Sequence, residues 1–208
     1  MDDFARRYFA RRDRRVLGIL RGSIVGIAGA GGLGSNVALS LARVGVGKLI
    51  IADSDRVEPS NLNRQQYFID QVGRQKVKAL REILLRVNPY STYVIHAVRV
   101  KARNVASLFG EADVMVEAFD KAAAKQMLIE TWLTRFPDRP IVAASGLAGF
   151  GANCKLHTRR LGHLYVCGDE ASQPEPGISP MAPRVAVVAN LQANLVVELL
   201  VKKGGRRA

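Results

Sequence analysis

The sequence predicts an α/β fold in which helices flank a Rossmann-like, mainly parallel sheet. Short runs of apolar and β-branched residues alternate along the chain with stretches of helical spacing, and the connections between them are short. This alternation is typical of parallel strands joined by crossover helices. A glycine-rich turn also follows the first strand, and folds of this kind bind ligands at the carboxyl ends of their strands.

Strands are predicted where apolar and β-branched residues run together, because the strands of a parallel sheet are buried on both faces. The segment 23–28, SIVGIA, is the first such run. Residues 151–166 could add one or two further strands of uncertain direction. The remaining predicted strands are 48–53, 92–98, 113–119 and 140–145.

Helices are predicted where apolar residues recur every three or four positions. The first, over 4–21, is rich in arginine and ends at Gly22. The last, over 184–201, follows an extended loop at 168–183 that contains four of the eight prolines. The other predicted helices are 33–46, 73–88, 103–110 and 121–136.

Length and composition predict a single folded domain. The chain has 208 residues, of which 48% are hydrophobic, and this composition excludes wholesale disorder. Two cysteines are too few for a disulfide framework or a four-cysteine zinc site, so a cytoplasmic protein is expected. The basic N-terminus has no apolar stretch behind it, so we expect no secretory signal. Because no run of about 18 apolar residues is present, we also expect no membrane-spanning helix.

Positive charge is concentrated at the two ends of the chain. The formal net charge is +13, and residues 1–22 contain seven arginines against three aspartates. Residues 202–208 add two lysines and two arginines. Such ends suggest contact with nucleic acid, contact with an acidic protein, or solubility without a partner. We therefore divide the chain into a basic N-terminal helix (1–22), one domain (23–201) and a basic tail (202–208).

A glycine motif opens the connection from the first strand to its helix. Gly29, Gly31 and Gly34 form G-x-G-x-x-G, in which glycines let backbone N–H groups approach a phosphate at a helix N-terminus. Asp53 ends the next strand, where an acid typically accepts hydrogen bonds from ribose hydroxyls. The motif predicts a nucleotide site, and the alternative is a purely structural turn. Because dehydrogenases do not require Gly32, the residues that follow must decide which nucleotide binds.

Three charged residues farther along favour a nucleoside triphosphate over NAD. Arg64 lies in the polar block SNLNRQ, Lys76 starts the next helix, and Asp120 follows the strand at 113–119. Two cations could neutralise phosphoryl oxygens, and a carboxylate could bind Mg²⁺ carried by the triphosphate. Taken singly, each residue has an ordinary alternative on a solvated surface or as a helix cap. An NAD-dependent oxidoreductase would leave Arg64 and Lys76 unexplained.

Together these motifs resemble the ThiF/MoeB/HesA superfamily, the bacterial relatives of ubiquitin-activating enzymes. The resemblance covers about 25–200, and the block SNLNRQ joined to the glycine motif is its most specific part. The chain is similar in particular to short ThiF-type sulfur carrier protein adenylyltransferases. The matching segments are GAGGLGS at 29–35, ADSDRVEPSNLNRQ at 52–65, GRQKVKAL at 73–80, EAFD at 117–120, and MAPRV with the later QA at 181–193.

The resemblance implies an enzyme that uses ATP and Mg²⁺ to adenylate the C-terminal Gly-Gly carboxylate of a small ubiquitin-like sulfur carrier protein, with release of pyrophosphate. The implied pathway is thiamine biosynthesis. Carried over by position, Asp53 would contact the ribose and Asp120 would hold Mg²⁺. Gly29, Gly31, Gly32 and Gly34 would line the phosphate loop, and Asn61, Arg64, Gln65 and Lys76 would contact the phosphates.

The resemblance also implies a homodimer in which an N-terminal arginine of one subunit reaches the site of the other. Arg11, Arg12, Arg14 and Arg15 are the candidates, and the local pattern does not choose among them. Carriers of this kind are often acidic, which would suit the basic charge of the chain.

The chain departs from the family in its cysteines. Many relatives bind zinc through two C-x-x-C pairs, whereas here only Cys167 remains of the first pair, so no zinc site is expected. The loop at 168–183 also lacks the cysteine that many relatives use to form a thioester or an acyl persulfide. We therefore expect adenylation without a covalent carrier intermediate, with Cys167 and Cys154 as ordinary residues. The alternative is a reactive Cys167, which would require the loop to move.

Two alternative functions remain open. The superfamily includes tRNA threonylcarbamoyl-adenosine dehydratases, and ASGLAGFG at 144–151 is not far from their glycine-rich segment. The basic ends would then contact RNA phosphates, although no recognised RNA-binding module is visible. A non-catalytic scaffold would instead bind ATP without catalysing pyrophosphate exchange.

Overall fold

In the computed structural model, which describes residues 3–11 and 13–205, strands and helices alternate along most of the chain. The strands are β1 (Ile24–Ala28), β2 (Lys48–Ala52), β3 (Thr92–His96), β4 (Val114–Glu117), β5 (Ile141–Ala144), β6 (His157–Leu161) and β7 (Leu164–Gly168). The helices are α1 (Asp3–Phe9), α2 (Arg14–Arg21), α3 (Gly32–Val44), α4 (Lys76–Val87), α5 (Ala102–Phe109), α6 (Ala122–Arg135) and α7 (Ala182–Gly205).

The strands form one sheet in the order β3-β2-β1-β4-β5-β7-β6. All of them are parallel except β6, which pairs with β7 in the antiparallel direction. The predicted Rossmann-like, mainly parallel α/β fold is thereby confirmed, and residues 151–166 contribute to its last two strands. β2 and β3 lie on one side of β1, and β4 and β5 lie on the other. The loops after β1 and β4 therefore run to opposite faces and leave a crevice at the carboxyl edge of the sheet.

Helices cover both faces of the sheet and bury a separate apolar cluster on each side. On one face α3 packs along α7, with α2 and α4 beside them. On the other face α5 and α6 pack together around Phe109 and Trp132, which are both fully buried. The indole N–H of Trp132 donates to the carbonyl oxygen of Arg139 at 3.1 Å, so its one polar group is satisfied.

α7 is, among the described helices, the one that is long and apolar enough to cross a membrane by length and composition alone. It packs along α3 and against β4, β5 and β7. Its fully buried Gln192 donates from Nε2 to the carbonyl oxygens of Glu117 at 3.1 Å and Val142 at 3.2 Å. A polar side chain bonded to the sheet in this way places α7 in the core of the domain.

The prediction of one N-terminal helix over 4–21 is wrong. α1 ends at Phe9 and α2 begins at Arg14, because Asp13 caps α2: its Oδ1 accepts the N–H of Val16 at 2.8 Å. α1 turns back onto the end of α4, where the Tyr8 hydroxyl donates to the carbonyl oxygen of Val87 at 2.9 Å. The candidate Arg12 lies outside the described residues.

The C-terminal helix extends past its predicted end at 201, because α7 continues to Gly205. Lys203 Nζ lies 2.6 Å from Asp113 Oδ1, and the other carboxylate oxygen of Asp113 accepts the N–H of Ile24 at 2.9 Å. The beginning of the predicted basic tail is therefore part of the folded domain, and 206–208 lie outside the described residues.

The turn between β1 and α3 brings two glycines into backbone contact. A Cβ on Gly34 would lie 1.9 Å from the carbonyl oxygen of Gly29. Gly29 itself has a φ of 101°, in the left-handed region that glycine adopts without strain. The motif therefore lets α3 begin directly against the end of β1, at the bottom of the crevice.

Gly34→Ala should destabilise the protein by ~1–3 kcal/mol, because the new methyl group overlaps the Gly29 carbonyl oxygen. Gly18→Ala is the matched control, since a Cβ at this position in α2 meets nothing within 4 Å. Helix propensity predicts that the control gains roughly 0.5–1 kcal/mol. Urea denaturation measures both changes, and a Gly34→Ala variant as stable as the unmodified protein would contradict the close contact.

Candidate functional site

A cleft of about 690 Å³ opens at the carboxyl edge of the sheet, where the strand order reverses. Its lining comes from the β1–α3 turn, the ends of β2 and β4, the loops that follow β3 and β5, and part of the long loop before α7. Eight of the ten predicted site residues line this cleft: Gly29, Gly31, Gly32, Asp53, Arg64, Gln65, Lys76 and Asp120.

The other two predicted residues, Gly34 and Asn61, lie outside that lining. Gly34 allows the backbone contact with Gly29. Asn61 is buried, and its Oδ1 accepts the N–H of Glu58 at 3.1 Å, which closes the 3₁₀ turn Pro59–Asn61. Asn61 therefore closes a turn, and the expectation that it lies beside the phosphates is not met.

Arg64 and Lys76 form the cationic end of the cleft. The aliphatic part of Arg64 lies over the glycine turn, since a Cβ on Gly32 would be 3.5 Å from its Cγ. Arg64 Nη1 donates to Asn63 Oδ1 at 2.7 Å, which orients the guanidinium group. Lys76 is buried, and its Nζ lies 3.2 Å from Oδ2 of the exposed Asp55. Arg64 thus lies beside the glycine turn, and Lys76 adds a second positive charge to the lining of the cleft.

Asp53 and Tyr67 hold the glycine turn in place. Asp53 Oδ2 accepts the N–H of Ala30 at 2.7 Å, while its Oδ1 accepts the N–H of Asp55 at 2.7 Å. The Tyr67 hydroxyl donates to the carbonyl oxygen of Ala30 at 2.6 Å. Burial, together with the nearby carboxylates of Asp53 and Asp55, raises the pKa of Tyr67, so the hydroxyl remains a donor at neutral pH. Sequence reasoning missed Tyr67, whose partner lies 37 positions away.

Two buried polar residues of α3 join the glycine turn to the segment that contains Arg64. Asn36 Nδ2 donates to the carbonyl oxygens of Gly32 at 2.7 Å and Arg64 at 3.2 Å. Ser35 Oγ donates to Gly31 O at 2.7 Å and accepts the N–H of Gln66 at 3.1 Å. Sequence reasoning missed Asn36. Its signal was a polar residue in the first turn of a helix whose neighbours are mostly apolar.

Gln65 carries an unsatisfied acceptor at the cleft. Its residue surface is only 8% exposed, and its Oε1 is buried without a hydrogen-bond partner among the described residues. A buried amide oxygen without a donor costs about 1–3 kcal/mol. Gln65 nevertheless lines the cleft, in agreement with the position expected for it.

Apolar side chains line the cleft on both sides of the glycine turn, next to the further cations Arg99, Lys121 and Lys125. Val98 and Val100 come from the loop after β3, Ala52 ends β2, and Phe119 follows β4. These side chains offer a flat, weakly polar surface of the kind that accepts a nucleotide base. The lining thus combines apolar side chains that suit a base with a glycine turn and cations that suit phosphates.

Asp120 presents an exposed carboxylate to the cleft from the turn between β4 and α6. Within residues 3–11 and 13–205, no group of three or more His, Cys, Asp or Glu side chains is arranged to hold a metal ion. A single carboxylate suits Mg²⁺, which typically keeps several waters and binds through one or two carboxylates plus substrate phosphates. The residues present thus fit a phosphate-borne Mg²⁺ ion.

A buried ion pair anchors the long loop over one side of the cleft. Arg184, at the start of α7, pairs with Asp169 and also donates to the carbonyl oxygen of Gly151. Burial acts to raise the pKa of Asp169, but N–H donors from Ser172 and Ala171 and the charge of Arg184 outweigh it and lower the pKa. Sequence reasoning treated 168–183 as a plain extended loop and missed this anchor.

The two cysteines have opposite environments. Cys167 is fully buried near the end of β7, with Thr158 Oγ1 3.5 Å from its Sγ. Burial raises the pKa of the Cys167 thiol and outweighs the hydrogen bond to Thr158, so the reactive thiolate is disfavoured. Cys154 is exposed in the short 3₁₀ turn Asn153–Lys155. Neither cysteine is among the residues that line the cleft.

Comparison with known proteins identifies the family. The profile of the ThiF family matches residues 9–207. The chain belongs to the ThiF family. The resemblance seen in the sequence is thereby confirmed, and nearly the whole chain takes part in it.

Curated relatives of this ThiF-family chain include longer fungal proteins. It is 31% identical over 199 residues to "Adenylyltransferase and sulfurtransferase uba4" of Emericella nidulans, covering 89% of this chain and 41% of the relative. It is 30% identical over 179 residues to the protein of the same description, UBA4, from Eremothecium gossypii, covering 86% and 38%. The chain therefore spans about two fifths of the length of the curated relatives it matches.

Solved structures share the fold of this ThiF-family chain. E. coli tRNA N6-threonylcarbamoyladenosine dehydratase, TcdA, in complex with AMP has a TM-score of 0.88 and 19% identity, covering 98% of both chains. E. coli MccB in complex with AMPCPP and MccA has a TM-score of 0.71 and 25% identity, covering 90% of this chain and 58% of MccB. The likeness to TcdA shows the fold alone, and both proteins were solved with an adenine nucleotide.

The burial of Cys167 predicts a difference in thiol reactivity. In the native protein Cys154 should react rapidly with a disulfide reagent, whereas Cys167 should react at least ~100-fold more slowly, because it needs local or global opening. Absorbance of the released thiolate measures both phases. The Cys154→Ser variant should lack the fast phase and the Cys167→Ser variant should keep it. A fast phase that persists in Cys154→Ser would contradict the burial of Cys167.

Proposed function

We propose that the chain is an ATP-dependent adenylyltransferase that activates the C-terminal Gly-Gly carboxylate of a small ubiquitin-like sulfur carrier protein. The observation that carries the proposal is one cleft whose lining brings together the glycine turn, Arg64, Lys76 and Asp120 with apolar side chains such as Val98 and Val100. The names of the curated relatives support the same reaction class.

ATP is the proposed nucleotide, because the cleft offers cations for its phosphates and apolar side chains for its base. Backbone N–H groups of the glycine turn, Arg64 and Lys76 would bind the phosphates, since donors and cations stabilise phosphoryl charge in a partly enclosed site. The apolar residues after β2 and β3 would hold the base. Asp53, whose two oxygens already accept backbone N–H groups, has lone pairs left to accept from a ribose hydroxyl. Asp120 would hold Mg²⁺, which would supply further charge neutralisation at the phosphates.

The reaction mainly requires that the protein position two anions, the carrier carboxylate and ATP, and neutralise their charge. A carboxylate oxygen of the carrier's C-terminus forms a bond to the α-phosphorus of ATP, and the bond from the α-phosphorus to the bridging oxygen of the β-phosphate breaks. Pyrophosphate leaves with that electron pair. No general base is needed, because a C-terminal carboxyl group is ionised at neutral pH. Arg64 and Lys76 would stabilise the charge that develops on the leaving pyrophosphate.

The carrier tail would enter between the loop after β5 and the long loop before α7. Leu147 and Ala148 from the first loop, and Gln173 and Pro174 from the second, line the cleft on this side. Large apolar side chains are exposed on the same two loops, including Phe150 at 78% and Ile178 at 45%. Exposed apolar groups at the end of a narrow cleft suit the docking of a folded protein whose tail reaches inward.

Adenylation without a covalent carrier intermediate remains our proposal for this chain. The burial of Cys167 and the position of Cys154 outside the cleft lining support it. The relatives named as sulfurtransferases are more than twice as long as the segment they share with this chain. Thiamine biosynthesis and a cytoplasmic location rest on the sequence alone, and the relatives' names do not mention thiamine.

A homodimer with a shared site is also proposed. Arg11, Arg14 and Arg15 are exposed, and α2 leads directly into the amino end of β1. The cleft lies at the carboxyl ends of the strands, so these arginines are at the opposite edge of the sheet from their own cleft. One of them could contribute to catalysis only in the cleft of a second copy.

The alternative functions are separated by one exchange assay with three substrates. ATP–pyrophosphate exchange is measured with a candidate ubiquitin-like carrier, with the same carrier lacking its last glycine, and with tRNA that contains threonylcarbamoyl-adenosine. We expect exchange with the intact carrier only. Exchange with the modified tRNA alone would favour the dehydratase, and ATP binding without any exchange would favour a scaffold.

Arg64→Ala and Asp120→Ala should each reduce carrier-dependent exchange by about 100-fold or more, because each removes a charge that stabilises the transferring phosphoryl group. Lys78→Ala is the matched control, since Lys78 is an exposed cation of α4 outside the cleft lining. Thermal unfolding should be similar in all three variants. Full exchange activity in both Arg64→Ala and Asp120→Ala would show that the site is misassigned.

A shared site predicts complementation between two inactive variants. One variant is Arg64→Ala, and the other replaces Arg11, Arg12, Arg14 and Arg15 with alanine. In a mixed dimer, the second variant keeps Arg64 and receives the N-terminal arginines of the first, so one of the two clefts is complete. Exchange activity should therefore return when the two proteins are dissociated and reassociated together, and its absence in proven mixed dimers would contradict a shared site.

A further inference from the structure

A charged pair at the edge of the cleft has no role in the reaction proposed above. Its lysine, Lys125, lines the cleft and has a side chain that is 23% exposed, whereas its carboxylate is buried. Glu117, the last residue of β4, is 0% exposed, and its Oε2 lies 2.8 Å from Lys125 Nζ of α6. Its other oxygen, Oε1, accepts the N–H of Phe119 at 2.6 Å. Both carboxylate oxygens are therefore used, one by the helix and one by the turn that leads to Asp120.

Lys125 connects this carboxylate to the neighbouring strand. Its Nζ also donates to the carbonyl oxygen of Ala144, the last residue of β5, at 3.1 Å. From α7, Gln192 bridges the carbonyl oxygens of Glu117 and Val142. The carboxyl ends of β4 and β5 are thus joined by side chains from two helices, immediately below the cleft.

The energetics of the pair indicate a role in positioning. Burial raises the pKa of the Glu117 carboxyl group, while Lys125 and the N–H of Phe119 act in the opposite direction. A buried ion pair pays a desolvation cost of several kcal/mol per ion, and apolar residues of similar volume often give equal or greater stability. What an apolar pair does not provide is a directed acceptor for the Phe119 amide and a fixed distance between two strand ends.

The turn held by Glu117 contacts the cleft in two places. It presents Asp120 and the ring of Phe119 to the lining. It also supports the glycine turn, because a Cβ on Gly29 would lie 2.6 Å from the carbonyl oxygen of Ala118. A displacement of this turn would therefore move the carboxylate and the phosphate-binding backbone together.

We propose that Glu117 and Lys125 are positioning residues that fix Asp120 relative to the glycine turn, and so determine how well the cleft binds ATP together with Mg²⁺. This inference deepens the proposed function and rests on it. The pair acts through the backbone of 117–120, and neither residue needs to touch the reacting atoms.

Four variants separate positioning from general stability. Lys125→Met removes one charge, and Lys125→Arg restores a cation that can reach both acceptors. The double variant Glu117→Met, Lys125→Met replaces the pair with apolar side chains and guards against the case in which Lys125→Met alone fails to fold. Lys78→Met is the control for loss of an exposed lysine.

The first readout is amide hydrogen exchange in the unliganded protein. Peptides that contain 117–121 should exchange about tenfold faster in Lys125→Met and in the double variant, while peptides from β1 and β2 stay unchanged, because only the turn loses its anchor. Lys125→Arg and Lys78→Met should exchange as the unmodified protein does.

The second readout is calorimetric ATP binding at increasing Mg²⁺ concentration. The Mg²⁺ concentration for half-maximal enhancement of ATP binding should rise at least ~10-fold in Lys125→Met and in the double variant, a typical effect of losing a group that orients a metal ligand. Because Lys125 lines the cleft, a direct contact with the nucleotide would weaken ATP binding without Mg²⁺ as well. Positioning predicts that this affinity changes less than ~3-fold, and that Lys125→Arg restores the Mg²⁺ dependence.

A double variant that is as stable as the unmodified protein but defective in both readouts would support positioning. If the double variant matches the unmodified protein both in amide hydrogen exchange at 117–121 and in the Mg²⁺ dependence of ATP binding, the pair is structural only and the inference is overturned. If the unmodified protein binds no ATP, the proposed function is wrong. Amide hydrogen exchange would still decide whether the pair fixes the turn.

Discussion

At the β1–α3 turn the backbone of Gly34 packs directly against the carbonyl group of Gly29, and the rest of the cleft is arranged around that contact. A side chain on Gly34 would overlap the Gly29 carbonyl group and push α3 away from β1, and one on Gly29 would overlap the carbonyl group of Ala118. The turn is supported on one side by Ala118, and its Ala30 is held by Asp53 and Tyr67. Segments that come from distant parts of the sequence therefore meet on the backbone of residues 29–34.

The charged residues around this turn differ in how far their charges are neutralised by a partner, and the difference follows from their burial. Lys76 is buried, lines the cleft and pairs with the exposed carboxylate of Asp55, so it can also bind an anion there. Glu117, in contrast, is fully buried and fully satisfied by Lys125 and a backbone N–H. One pair thus leaves charge for a ligand, whereas the other uses its charge to hold a strand end. The same distinction separates Asp120, exposed in the cleft, from Asp169, buried against Arg184.

The sequence predicted those parts of the fold and site that depend on local pattern. Apolar runs located β1 to β5, and the glycine motif with Arg64, Lys76 and Asp120 located one cleft. Features that depend on a partner far along the chain were missed, such as Tyr67 on Ala30, Asn36 on Arg64 and Arg184 on Asp169. The break between α1 and α2 was missed because apolar spacing continues through 4–21, while the deciding contact is a single cap at Asp13. Asn61 and Gly34 have structural contacts where ligand contacts were expected, because a motif identifies residues but not the atoms they contact.

The central proposal is that one cleft binds ATP with its phosphates at the glycine turn and the two cations. A crystal structure of the protein with AMPCPP and Mg²⁺ tests it most directly. We expect phosphate oxygens within hydrogen-bond distance of the N–H groups of the glycine turn, Arg64 and Lys76, with the metal at Asp120 and the base against Val98 and Val100. A nucleotide bound outside this cleft, or bound with its phosphates directed away from Arg64 and Lys76, would contradict the proposal.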